Sequence, residues 1–240
     1  MGIWQLGVRG KIPFNDRFYP EKHTFDQVFC EVKVPTRWLS FAYVWLGVWT
    51  LNNKFLQVGL FHQPPYGTIA GSNEPSIDVA AYSSDSMYYY LQPCYSHNSM
   101  EKILLRADEG DCLVFEIGKR DLWIENRSNS DYQIVNFHGL LQNDRLFQLD
   151  QLFLILEGYN NPAGIPSTYK ERAGETTFFN INVKRPDDHY EPVTGEMLEV
   201  YNPVGEEWLP GRLFEQPPSC LNCRVEGGKG EESRVVFKGD

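Results

Sequence analysis

Two polar side chains lie where chemistry could be done. In Phe55-Leu-Gln-Val-Gly-Leu-Phe61, alternation sends Leu56, Val58 and Leu60 to one face and Phe55, Gln57, Gly59 and Phe61 to the other. The aliphatic face belongs in a core. The opposite face presents a carboxamide between two aromatics, beside a glycine that leaves room for close approach. In Leu152-Phe-Leu-Ile-Leu-Glu157 the leucines again share one face, and Glu157 follows Phe153 and Ile155 on the other. A carboxylate ending an apolar strand is either solvated at the sheet edge or held in a half-buried cleft. In the cleft, desolvation raises its pKa and makes it a usable acid or base.

Residues so placed need a sheet to carry them, and the rest of the chain supplies one. Val28, Cys30, Val32 and Val34 alternate with Glu31 and Lys33, which the period places on a polar face. Further strands are expected at 41–50, 55–61, 87–92, 103–106, 112–117, 122–125, 132–137, 152–157 and 177–183, separated by turn chemistry such as Pro64-Pro65-Tyr66-Gly67 and Ser128-Asn129-Ser130. With 13 Tyr, 15 Phe and 6 Trp to fill a core, the pattern predicts an all-β fold, a two-sheet antiparallel β-sandwich. The only helix the pattern allows is a short one near 143–151, where a loop fits equally well. The sandwich domain is drawn at 1–184. Residues 185–240 carry 12 acidic against 6 basic side chains among Pro and Gly, and are expected as an acidic extension, partly packed, with the last 20 or so flexible.

Over the 240 residues Lys plus Arg is 22 and Asp plus Glu is 32, a net charge of −10, so no nucleic-acid partner is expected. No apolar run is long enough for a membrane span, and the first nine residues lack the apolar heart of a secretory signal; no membrane partner is expected, and the compartment is left open between the cytoplasm, slightly favoured, and an already processed secreted chain. Oligomeric state is left open. Five cysteines do not form a disulfide framework. Cys220 and Cys223 have the spacing of a zinc knuckle or redox pair, but no second pair or close histidines complete a site, so free thiols and no metal or cofactor are expected.

Taken in order, the segments resemble the fungal glutamic peptidases, the eqolisins. Asp26-Gln-Val-Phe-Cys-Glu-Val-Lys-Val-Pro35 is similar to their early strand, and Tyr43-Val-Trp-Leu-Gly-Val48 to their Trp-x-Gly strand. Phe55-Leu-Gln-Val-Gly59 is similar to the strand bearing the catalytic glutamine, Tyr88-Tyr-Tyr-Leu-Gln-Pro93 to an aromatic strand closing in proline, and Glu109-Gly-Asp111 to a Gly-Asp turn. Asp121-Leu-Trp-Ile-Glu-Asn126 and Leu154-Ile-Leu-Glu157 resemble the two remaining strands, the latter bearing the catalytic glutamate. The likeness runs from about residue 7 to residue 183. It implies a concanavalin A-like, jelly-roll-like sandwich and an endopeptidase hydrolysing peptide bonds with a Glu157/Gln57 dyad.

In that implied mechanism, Glu157 takes a proton from a water poised over the scissile carbonyl, Gln57 donates its amide N–H to the oxyanion, and Glu157 returns the proton to the leaving nitrogen. Trp45 would lie in the cleft, and Trp49, Phe55, Phe61, Tyr88 and Tyr90 would grip an extended peptide or protein substrate. The departures are specific: Trp49, Phe61 and Tyr90 stand where the family carries supporting acidic residues. The alternative is a catalytically inactive sandwich that binds a peptide or glycan or serves as a structural interaction protein. A glycosidase would need a second carboxylate across the cleft from Glu157, and those strand positions carry aromatics. Asn126-Arg-Ser128 is a glycosylation sequon.

Overall fold

The computed structural model describes residues 2–34, 42–50, 55–62, 76–78, 80–85, 88–93, 104–106, 110–119, 121–136, 147–160, 175–219 and 221–239. Its strands assemble into two antiparallel sheets. The first runs β16 (Leu198–Tyr201), β1 (Gly2–Gly10), β13 (Phe147–Asn160), β4 (Ala42–Thr50), β5 (Phe55–His62), with β2 (Thr24–Phe25) also paired to β13. The second runs β12 (Asp131–Asn136), β11 (Asp121–Asn126), β10 (Cys112–Gly118), β3 (Gln27–Lys33), β14 (Thr176–Lys184), β20 (Arg234–Gly239), β19 (Leu221–Glu226), with β15 (Tyr190–Pro192) also paired to β14. Three small pairs complete the described strands: β6 (Ser76–Asp78) with β9 (Leu104–Arg106), β7 (Ala80–Asp85) with β8 (Tyr88–Pro93), and β17 (Glu207–Leu209) with β18 (Arg212–Leu213).

Period-two alternation explains which face of each sheet is dry. Trp4 and Val8 on β1, Val44, Leu46 and Val48 on β4, Leu56 and Val58 on β5, and Leu152 and Leu154 on β13 are fully buried. They join Val28, Cys30, Val32, Leu113, Phe115, Ile117, Phe178 and Val183 of the second sheet in one apolar cluster. Two sheets that bury facing rows of side chains in a common core make a β-sandwich, as the alternation predicts.

The structure departs from expectation in three places. The short helix allowed near 143–151 is not formed across its described part: Phe147 and Leu149 enter the core as alternate residues of β13, and a bulge between Phe147 and Leu152 corrects the phase. A short apolar run fits either period, and pairing with β2 and β4 decides for the strand. Residues 143–146 lie outside the described residues. Second, residues 185–240, expected as a partly packed extension with a flexible end, are built into both sheets to their last described strand. They supply β16 to one sheet and β19 and β20 to the other, and Val235 and Phe237 are core residues.

Third, Glu31 faces outward from β3 as its parity requires, yet it is only 6% exposed. Its carboxylate accepts hydrogen bonds from Arg127 Nη1 at 2.7 Å, Asn180 Nδ2 at 2.6 Å and the Cys112 thiol at 3.2 Å. Asn180 reaches it from an irregularity in the β14–β3 pairing, in a left-handed conformation with φ of 48°. A buried carboxylate persists when several donors replace its lost water, as here. Nearby, Asn126 is fully buried, donates its side-chain N–H to Asp111 at 2.8 Å and accepts the Ser128 amide. In the folded chain that sequon is closed to glycosylation.

Candidate functional site on the outward face of the first sheet

Trp45 and Trp49 on β4, Gln57 on β5 and Glu157 on β13 share one face, the one opposite the core rows. Strand register defines its rows. Gln5, Glu157, Tyr43 and Phe61 lie side by side in one row; Tyr201, Gly7, Ile155, Trp45 and Gly59 in the next; Glu199, Arg9, Phe153, Gly47 and Gln57 in a third. Trp49 and Phe55 are opposed one step further along β4 and β5. Thus Gln57 and Glu157 do share a face.

They do not share a row. Gln57 aligns through Gly47 with Phe153, four residues from Glu157 and two strands away. Four residues of strand span about 13 Å and two strand spacings about 10 Å, so the two backbones stand roughly 16 Å apart. One water cannot bridge that, so Gln57 and Glu157 do not form a dyad in this structure. The carboxamide that meets Glu157 is Gln5, from β1, whose Nε2 donates to Glu157 Oε2 at 2.7 Å.

The reason lies on the core side of the same two strands. Trp4 pairs with Gly158, and a Cβ at 158 would stand 2.3 Å from Trp4 Cζ2. The indole fills the space the glycine leaves, and Trp4 is fully buried. With that register set, the next pair along is Gln5 with Glu157. Half-buried Glu157 has its pKa raised to about 7 by desolvation, partly offset by the hydrogen bond from Gln5 and a further contribution from Trp45.

Trp45 is 4% exposed, and the role expected of Gly59 is filled from within: a Cβ at Gly59 would lie 2.5 Å from the Cβ of Trp45. The room at that glycine is taken by the neighbouring strand rather than kept for a ligand. Trp49 and Gln57 are half-buried. At the β16 edge, Arg9 pairs with Glu199 at 2.6 Å and stands 5.7 Å above the Tyr201 ring, which meets Phe153 edge-on at 5.4 Å. Phe55 and Phe61 occupy their expected places on β5; Tyr88 and Tyr90 lie on β8, opposite Asp85 and Ser83 of β7, which runs close to β5. The side chains of these four lie outside the described residues.

Among the described residues no group of three or more His, Cys, Asp or Glu is arranged to hold a metal ion, and no helix is long and apolar enough to cross a membrane. Cys223 is a free thiol on β19, its pKa pushed up to about 12 by burial; Cys220 lies outside the described residues.

The sequence matches no protein-family model and no curated protein. Among solved structures, a double mutant of congerin II is similar over 64% of this chain and 92% of its own, at 13% identity and a TM-score of 0.35. The CBM2 module of the evolved Dit of Lactobacillus casei BL23 phage J-1 is similar over 66% of this chain and 71% of its own, at 14% identity and a TM-score of 0.31. The sandwich assignment rests on the strand pairing itself.

Proposed function

We propose that this protein is a non-catalytic β-sandwich binding module whose outward face on the first sheet takes a neutral, polyhydroxylated chain such as a glycan. The observation that carries this reading is the row structure: Glu157 is engaged by Gln5, while Gln57 stands two rows and two strands away. A hydrolase of the kind the sequence resembles needs carboxylate and carboxamide to converge on one water. A binding face needs the opposite, hydrogen-bonding groups spread along a ligand. Gln5 and Gln57 each donate and accept, Glu157 is poised between its acid and carboxylate forms near neutrality, and Phe153 on β13 and Tyr201 on the edge strand beyond Gln5 add half-buried aromatic rings.

The test is two assays on one set of folded variants, Glu157→Gln, Gln5→Ala and Gln57→Ala, with folding checked by circular dichroism. A panel of neutral oligosaccharides is titrated by calorimetry, and a denatured protein substrate is incubated from pH 2 to 8. Saccharide binding weakened by Gln5→Ala and by Gln57→Ala, with no cleavage at any pH, is the expected result. Cleavage by the parent that disappears in Glu157→Gln and Gln57→Ala would overturn the reading and restore the endopeptidase. Saturable binding of unstructured peptides in place of saccharides would change the ligand class.

A further inference from the structure

We propose that the outward face of the second sheet is a docking surface for an extended, arginine- or lysine-rich segment of a partner protein. Register lines up Ile134, Trp123, Glu116, Phe29, Asn182 and Pro192 in a single row across β12, β11, β10, β3, β14 and β15. Five strand spacings make this row about 24 Å long. Trp123 and Phe29 in the row are half-buried, and the rings beside them are exposed. Trp123 stacks on Tyr132 with centroids 5.0 Å apart and planes 4° from parallel, and Tyr132 and Ile134 are 56% and 47% exposed. At the other end Phe29 meets Tyr190 edge-on at 5.6 Å, and Tyr190 is 52% exposed.

Charge selects the occupant. Alternation on β11 sends Asp121 and Glu125 to the same side as Trp123, and Glu116 is its direct cross-strand partner. Three carboxylates therefore surround one indole. Glu116 has its pKa raised by burial and then by the nearby charge of Asp121, against the opposing effects of Lys184 and a hydrogen bond with Gln27. Among the described residues none of Glu116, Asp121 and Glu125 is bridged to a cation. A stacked indole ringed by carboxylates that no described cation bridges is complementary to ammonium and, better, to guanidinium, which can lie on a ring and pair with a carboxylate at once. The chain satisfies the same chemistry internally on this face: Lys184 stands 5.7 Å above Tyr190, and Arg127 pairs with Glu31. A polyanion would meet a chain of net charge −10, and a neutral sugar would bring no positive charge to the carboxylates.

Hexa-arginine is the probe, titrated into the full chain by calorimetry at physiological salt, where non-specific attraction is screened. The expected result is saturable binding, weakened roughly tenfold by Trp123→Ala and by the pair Glu116→Gln with Asp121→Asn. It should be unchanged in the charge-matched control Glu196→Gln with Glu232→Gln, whose exposed carboxylates lie off this row. Hexa-glutamate should not bind. If Trp123→Ala fails to fold, Tyr132→Ser, at an exposed ring, makes the same test. No binding of hexa-arginine, full affinity in the folded ring variant, or equal weakening by the control pair would each overturn the proposal. So would binding of a neutral oligosaccharide that depends on Trp123 while hexa-arginine leaves it undisturbed. All of these variants lie off the face bearing Gln5 and Glu157, so failure here leaves the proposed function standing.

Discussion

Glu157 is a carboxyl that folding makes harder to ionise, and the sign of its contribution follows. Its folded pKa is about 7 against an ordinary 4.5, so between those values the folded chain binds the proton that the unfolded chain has released. Stability therefore falls as pH rises through this window, and above pH 7 the buried charge costs at most about 3 kcal/mol. Glutamine at this position stays neutral and can still accept from Gln5. Glu157→Gln should match the parent near pH 4 and exceed it at pH 8 by up to about 3 kcal/mol, with the divergence opening across the interval between. Urea denaturation at both pH values measures it. Equal stability at pH 8 would mean that water or a counter-charge already solvates the carboxylate.

A strand carries its side chains in fixed order, so what a residue meets is decided by register. Parity was legible in the chain: it placed Gln57 and Glu157 on the face away from the leucines, and the structure puts them there. Register was not legible, because it depends on which distant strand lies alongside. β1 pairs with β13 over a separation of about 150 residues, and Gln5 belongs to a segment, Gly2–Gly10, whose alternation of Trp4, Leu6 and Val8 with Gln5, Gly7 and Arg9 is plain once its partner is known. The determinant of that register is local: Trp4 over Gly158. Alanine at 158 would force the indole or the strand to move, at a cost of about 1–3 kcal/mol by overpacking. It should also loosen the Gln5–Glu157 hydrogen bond, which holds the Glu157 pKa down, so that pKa should rise further in Gly158→Ala. Thermal unfolding and a carboxyl titration followed by NMR report the two effects separately. A stability loss with an unmoved pKa would show that the hydrogen bond does not depend on this contact.

At the scale of the whole molecule, composition misled where topology decides. Acidic side chains with Pro and Gly describe the surface of residues 185–240 correctly, since Asp187, Glu196, Glu206, Glu215, Glu231 and Glu232 are exposed, but they say nothing of the few apolar residues between them. Val235 and Phe237 are inside, Val236 is almost fully covered, and Phe237 meets Phe178 of β14 edge-on at 5.9 Å. β20 also satisfies the backbone of β14 over Thr176–Phe178, and β19 covers the far side of β20. A chain ended after residue 219 would lose both strands. Three buried apolar side chains at about 1.5–3 kcal/mol each, with the freed backbone edge of β14 in addition, amount to most of the 5–15 kcal/mol that holds an ordinary domain together. The truncated chain should show no cooperative thermal transition and should bind hydrophobic dyes. Phe237→Ala, which keeps both strands, should fold but be weaker by about 3–5 kcal/mol. An unchanged transition in the truncated chain would mean that the sandwich closes without its last two strands. The pairing argues against this, because β14 would then present an open edge beside the core that Phe178 helps to fill.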